Sequence, residues 1–217
     1  NTKIILLNHT YGFLFKGIEE LRNLIPSNIV LVEDCCHALS PNSQIGKTKI
    51  SQFSLCSFYS FNATKMIASG EGGAIATDDR LFYEKICKIK LGDNLSDLSC
   101  SLGLQQIDSF QEMLDKRSEI ANQYKQSFGF HGLSHESLFY RYPILVSNNQ
   151  VFLKSTEISY RLGVDELISD YINTQGVQNS KDLLLKIVSV PIYPALKGSE
   201  IKYIIQSTKK LIDAQSS

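Results

Sequence analysis

Two short apolar runs, Ile4-Ile5-Leu6-Leu7 and Ile29-Val30-Leu31-Val32, each end on polar residues, Asn8-His9 and Glu33-Asp34. Runs of four β-branched or leucine residues closed by polar groups read as buried strands. Between them Leu14, Ile18, Leu21 and Leu24 recur at spacings of four, three and three, as on one face of a helix, and Pro26 stops the pattern. A strand, helix, strand unit with parallel strands follows, and the fold class is α/β.

The same signals continue along the chain. Phe53 to Phe61 and Gly73 to Thr77 read as two more strands, with Ser69-Gly70-Glu71-Gly72-Gly73 as the turn between them. Asp78 or Asp79 caps a helix reaching about Leu91, and a long helix is expected from about Ser96 to Phe128, with Gly103 inside it. After Phe128 the pattern changes. Phe139 to Val146 predicts a strand, Ser155 to Leu162 a helix, Ile187 to Pro191 a strand, and Ser199 caps a last helix carrying Ile201, Ile204, Ile205, Thr208 and Leu211. The expected division is a large domain over 1–128 and a small C-terminal α+β domain over 129–217.

Lys+Arg and Asp+Glu are both 22, so no net field draws the molecule to nucleic acid or an anionic membrane. With 43% hydrophobic residues in 217, the chain can bury one substantial core, and it has no run of eighteen apolar residues. A soluble, cytoplasmic protein is the expectation. Five cysteines at irregular spacing suggest reduced, mostly buried thiols; Cys35-Cys36 lacks the spacer of a CxxC site, and the histidines at 9, 37, 131 and 135 form no ligand spacing with them, so no metal is expected.

Strand ends are where an open parallel sheet presents side chains to a ligand crevice. The first end gives His9, the second Asp34 and His37, the third Ser60 with Lys65 five residues on. An acid, imidazole, hydroxyl and amine can converge there on one small ring. Pyridoxal phosphate (PLP) chemistry needs these types: an amine to form an imine and move a proton, and a carboxylate to keep the pyridine nitrogen protonated. Singly, Lys65 reads as a solvated surface lysine and Asp34 as a turn acid.

The strings around them are more specific. Val-Glu-Asp-Cys-Cys-His-Ala (32–38), Ser-Phe-Asn-Ala-Thr-Lys-Met (60–66) and Gly-Glu-Gly-Gly-Ala-Ile-Ala-Thr-Asp-Asp (70–79) resemble, in that order, the DegT/StrS family of PLP-dependent sugar aminotransferases. His9-Thr10-Tyr11-Gly12, Leu102 to Ile107 with Arg117 to Ala121, and Val188 to Leu196 are similar to further family strings. The resemblance implies a fold type I large domain plus a small C-terminal α+β domain. It also implies transfer of an amino group from glutamate or glutamine to a nucleotide-linked keto sugar, in polysaccharide biosynthesis. Lys65 is then the Schiff-base lysine, Asp34, His37 and Ser60 bind the cofactor, and His9 binds substrate.

The resemblance begins after the segment in which the family carries its glycine and Ser/Thr phosphate loop, which implies a large domain lacking its N-terminal part. Counting back from Leu102-Gly103-Leu104 puts Gly92 and Asn94 at the family's Asn-x-Arg positions, unless a two-residue deletion makes Asn94 the asparagine, a cofactor-binding group. An uncovered sheet edge favours a homodimer or a complementary N-terminal chain. The alternative function is a catalytically silent or split-enzyme subunit that needs such a chain to bind PLP.

Overall fold

In the computed structural model of the chain, residues 1–40, 44–45, 48–89, 94–128, 137–162, 164, 166–171 and 176–215 are described. They form two compact units, Asn1–Asp115 with Ser134–Tyr140, and Lys116–Leu133 with Arg141–Ser217.

The first unit is built on β1 (Ile4–Asn8), α1 (Ile18–Leu24) and β2 (Val30–Asp34), with β1 and β2 parallel and Asn8 opposite Asp34. The short antiparallel pair β3 (Gln44–Ile45) and β4 (Thr48–Lys49) precedes β5 (Cys56–Ser60), which is parallel to β2. β6 (Gly73–Ala76) pairs antiparallel with β5, and the sheet order is β1-β2-β5-β6. Ile5 and Leu7 pack with Ile18, Leu21 and Leu31 under α1. Ile4 and Leu6, on the opposite face, are 61% and 60% exposed, so β1 is not a strand buried on both faces as its composition suggests.

Leu14 lies ahead of α1 and joins a different cluster with Ile50, Met66, Ile67 and Phe110, while Leu24 is exposed. The helical stripe therefore begins at Ile18, after Gly17. α2 (Arg80–Cys87) starts where expected, with Asp79 accepting the Phe82 N–H at 2.7 Å; the expected end at Leu91 lies outside the described residues. Ser96 caps α3 (Asp97–Asp108) by accepting the Ser99 N–H at 3.2 Å. The single long helix is in fact two, since α4 (Phe110–Phe128) starts anew after Ser109. The break falls at Asp108-Ser109 rather than at Gly103, and the Ser109 hydroxyl competes for a helix carbonyl by donating to Gln106 O at 3.4 Å.

The second unit pairs β7 (Tyr142–Leu145) antiparallel with β8 (Ile187–Val190). α5 (Gln150–Leu153), α6 (Gln178–Lys186) and α7 (Gly198–Asp213) complete it. Residues 155–162 are irregular rather than helical. The Ser155 hydroxyl accepts the Glu157 and Ile158 N–H groups, and Arg161 forms an isolated antiparallel bridge with Ser189, so side-chain turn and sheet contacts replace the helix. α7 begins one residue before Ser199, with Glu200 Oε2 accepting the Lys197 N–H at 2.7 Å. Arg117 donates to Ile192 O at 3.0 Å and the Tyr124 hydroxyl to Pro191 O at 2.8 Å, which fixes the segment after β8. Among the described residues, no helix is long and apolar enough to cross a membrane. All five cysteines are free; Cys35 and Cys56 are buried, but Cys87 and Cys100 are exposed, which corrects the expectation of mostly buried thiols.

Candidate active site

β2 delivers two carboxylates in succession, and strand alternation sends them to opposite faces. Glu33 is 0% exposed and accepts His9 Nε2 at 3.0 Å, the Ser54 hydroxyl at 2.6 Å and the Ser51 N–H at 3.0 and 3.1 Å to its two oxygens. His9 Nδ1 accepts the Phe15 N–H at 3.4 Å, which leaves the proton on Nε2 to be donated to Glu33. Burial by itself raises the Glu33 pKa, but the bonds from His9, Ser54 and Ser51 outweigh it and hold the group below 4.5.

Cys35 shares that buried side, its thiol 3.9 Å from the Ser51 hydroxyl. His9, Glu33 and Cys35 bring ligand-type atoms within 4.8 Å of one another, a grouping created by the β1–β2 register and invisible in the spacing of His and Cys. The group is satisfied by its own hydrogen bonds. Burial, then the Glu33 charge, pushes the Cys35 thiol up to about 12. The structure thus sets His9 in this interior network, 1% exposed with both ring nitrogens engaged.

Asp34 is half-buried. Its Oδ2 accepts Asn8 Nδ2 at 2.6 Å and its Oδ1 the Cys36 N–H at 3.0 Å, while Asn8 Oδ1 accepts the Thr10 hydroxyl at 2.6 Å, which turns the Asn8 amide nitrogen toward the acid. The Cys36 thiol is pushed up to about 11 by burial and by Asp34, and Lys65 acts on it in the opposite sense. Asp34 and Lys65 are therefore within electrostatic reach of one sulfur.

Lys65 Nζ sits 5.4 Å from the centroid of the Tyr140 ring, and His37 stacks on that same ring at 4.1 Å and 15°. His37 Nδ1 accepts the Tyr11 N–H at 3.3 Å. Gly12, at φ +89°, has no room for a side chain: a Cβ there would meet His37 O and Tyr140 N at 3.1 Å.

The loop that carries Lys65 is fastened at both ends. Ser60 Oγ accepts the Asn62 N–H at 3.4 Å, Asn62 Oδ1 accepts the Thr64 N–H at 3.3 Å, and the Lys65 N–H donates to Asn62 O at 2.8 Å. Phe61 and Ala63 N–H groups bond to Gly72 and Gly70 carbonyls at 2.9 and 2.8 Å. Met66 and Ile67 are buried in the core, and Gln106 of α3 bonds both backbone groups of Ala68. Asn94 is exposed; its neighbour Leu95 packs over Gly72.

Lys65, Asp34 and His37 are thus gathered through shared neighbours, with Ser60 at the root of the lysine loop. Gly92 lies outside the described residues, as do the histidines at 131 and 135. Tyr140 carries no sequence signal of its own, and Gln106, inside the family-like string Leu102 to Ile107, carries none that singles it out as a partner of Ala68. The chain matches the sequence model of the DegT/DnrJ/EryC1/StrS aminotransferase family over residues 1–93 and 91–209. The chain belongs to that family.

This DegT-family chain is 24% identical to the GDP-perosamine synthase of Escherichia coli O157:H7 over 95% of its own length and 65% of the synthase's. It therefore spans less than two thirds of that relative. Among solved structures, Helicobacter pylori PseC, an aminotransferase involved in the biosynthesis of pseudoaminic acid, superposes with a TM-score of 0.83. That match has 23% identity and covers 98% of this chain and 67% of PseC. The PLP-form of the putative sugar aminotransferase Spr1654 from Streptococcus pneumoniae gives 0.81 at 21% identity, over 98% of this chain and 69% of that one. The fold is that of the fold type I PLP-dependent transferases, as expected.

Proposed function

We propose that this protein is a PLP-dependent aminotransferase that passes an amino group from glutamate or glutamine to a keto sugar carried on a nucleotide. One observation carries the reading: the Lys65 amine, from the loop after β5, and the His37 imidazole, from the end of β2, share the Tyr140 ring, and the Asp34 carboxylate at that same strand end acts with Lys65 on Cys36. That donor set fits PLP, which when bound supplies an aldehyde and an electron-accepting ring.

Lys65 would hold the cofactor covalently and carry protons at Nζ. Asp34, fixed by Asn8 and the Cys36 N–H, offers a carboxylate for a protonated ring nitrogen. His37, Ser60 and Asn94 complete the groups that would bind it, His37 at the phenolic oxygen and Ser60 at the phosphate. Buried His9 orders the strand ends through Glu33. The GDP-linked sugar in the name of the E. coli synthase supports an activated sugar as acceptor. Exposed Ile4 and Leu6 on β1, with Leu98 and Leu102 on α3, support assembly with a second copy.

Lys65→Ala, mixed with PLP, is expected to lose the visible absorbance of lysine-bound cofactor while keeping its thermal midpoint. An unchanged spectrum would overturn the assignment.

A further inference from the structure

We propose that Tyr140 is a positioning residue that pre-orders Lys65 and His37 together, one ring serving both. The inference rests on the reading of those two side chains as cofactor groups and concerns what sets their geometry beforehand.

Tyr140 is fixed from its backbone outward. The Leu138 N–H donates to Gly12 O at 3.0 Å, Phe13 and Ser137 form an antiparallel bridge, and the Phe139 N–H donates to the Ser137 hydroxyl at 3.0 Å. Phe139 itself stands at φ +48°, a left-handed conformation that a bulky residue keeps only where its surroundings enforce it. The Tyr140 ring is buried in the cluster of Leu14, Ile67 and Phe110.

That fixed ring meets two side chains with rotatable bonds of their own, Lys65 and His37. A lysine loses much rotamer freedom when its amine is confined, and an aromatic face attracts an ammonium. Nζ at 5.4 Å from the centroid is held by this attraction, so part of the ordering is done before anything binds. The His37 plane is set within 15° of Tyr140, and the Tyr11 N–H occupies Nδ1. In the neutral imidazole the N–H then lies at Nε2, in a direction dictated jointly by Tyr11 and Tyr140. Both contacts are made with the ring itself, so phenylalanine should serve in place of tyrosine.

Two measurements test it. In the cofactor-free protein, NMR should show the Lys65 Hε and His37 ring protons shifted upfield by the Tyr140 ring, in the wild type and in Tyr140→Phe, and relaxing toward free values in Tyr140→Leu. In PLP titrations, Tyr140→Leu should bind about tenfold more weakly, with Tyr140→Phe within about twofold of wild type. Absence of the upfield shifts in the wild type overturns the inference even if Tyr140→Leu fails to fold. Equal PLP affinity in folded Tyr140→Leu and wild type overturns it too. Failure of the wild type to bind PLP sinks the cofactor assignment instead, and the ring-current measurement then decides the positioning role by itself.

Discussion

The side-chain amide of Gln106 closes a two-bond ring with the backbone of Ala68: Oε1 accepts its N–H at 3.0 Å and Nε2 donates to its carbonyl at 2.8 Å. Ala68 lies just beyond Lys65 in the same loop, so α3 holds the far side of the lysine carrier through a contact that only an amide of this reach can make both halves of.

Gln106→Leu should leave both Ala68 backbone groups without these partners and cost about 1–3 kcal/mol. Amide hydrogen exchange at Ala68 and Ser69 should quicken more than in α3 itself. Gln106→Glu, which keeps the acceptor and loses the donor, should fall between the two. Unchanged exchange in the leucine variant would show that the core contacts of Met66 and Ile67 suffice alone.

Glu33 gives the protein an acid-sensitive component of stability. Its folded pKa is depressed below 4.5, so the contribution is fully present above that ordinary value and is lost as pH falls through the folded value. Glu33→Gln should be less stable at neutral pH by about 1–3 kcal/mol, because the amide nitrogen faces donors. Its urea midpoint should also vary less with pH below about 4.5 than that of the wild type. Parallel curves for the two proteins would refute the assignment.

Gly72 is constrained twice, by φ +111° and by Leu95, whose Cδ2 would collide with any Cβ. Gly72→Ala should destabilise by about 1–3 kcal/mol, and Leu95→Ala should relieve part of that, leaving a non-additive double mutant. Strict additivity in thermal melts would mean the backbone angle alone is responsible.

With its thiol pushed up to about 11, Cys36 should resist alkylation near neutral pH, where exposed Cys87 and Cys100 react first. Labelling of Cys36, read by peptide mass spectrometry, should rise only as the thiolate appears at high pH. Lys65→Ala should delay it further, since the lysine charge favours the thiolate. An unaltered Cys36 profile in that variant would show that the Lys65 charge does not reach the Cys36 thiol.

Much of the first unit was legible because strand ends announce themselves in one dimension: Asp34, Ser60 and Lys65 follow apolar runs or their turns, and the caps Asp79 and Ser96 are local chemistry. What eluded the sequence is what distant segments impose. The halves of the long helical stretch part at Ser109, and residues 155–162 give up a helical pattern for a bridge with Ser189. α6 carries a largely polar sequence, which gives little periodic signal of a helix. The pairing of His9 with Glu33 comes from strand register rather than local spacing, and Tyr140 meets His37 across about a hundred residues of chain.

The consecutive acids of β2 have a last consequence, for changes in chain length. A single residue inserted between Val30 and Glu33 would carry Asp34 into the Ser51–Ser54 shell and turn Glu33 out toward Asn8 and Cys36, because each strand position trades faces with the next. Substitution at Val30 can be absorbed by repacking. An insertion or deletion there would exchange the surroundings of Glu33 and Asp34 at one stroke, so this strand should tolerate altered side chains far better than an altered residue count.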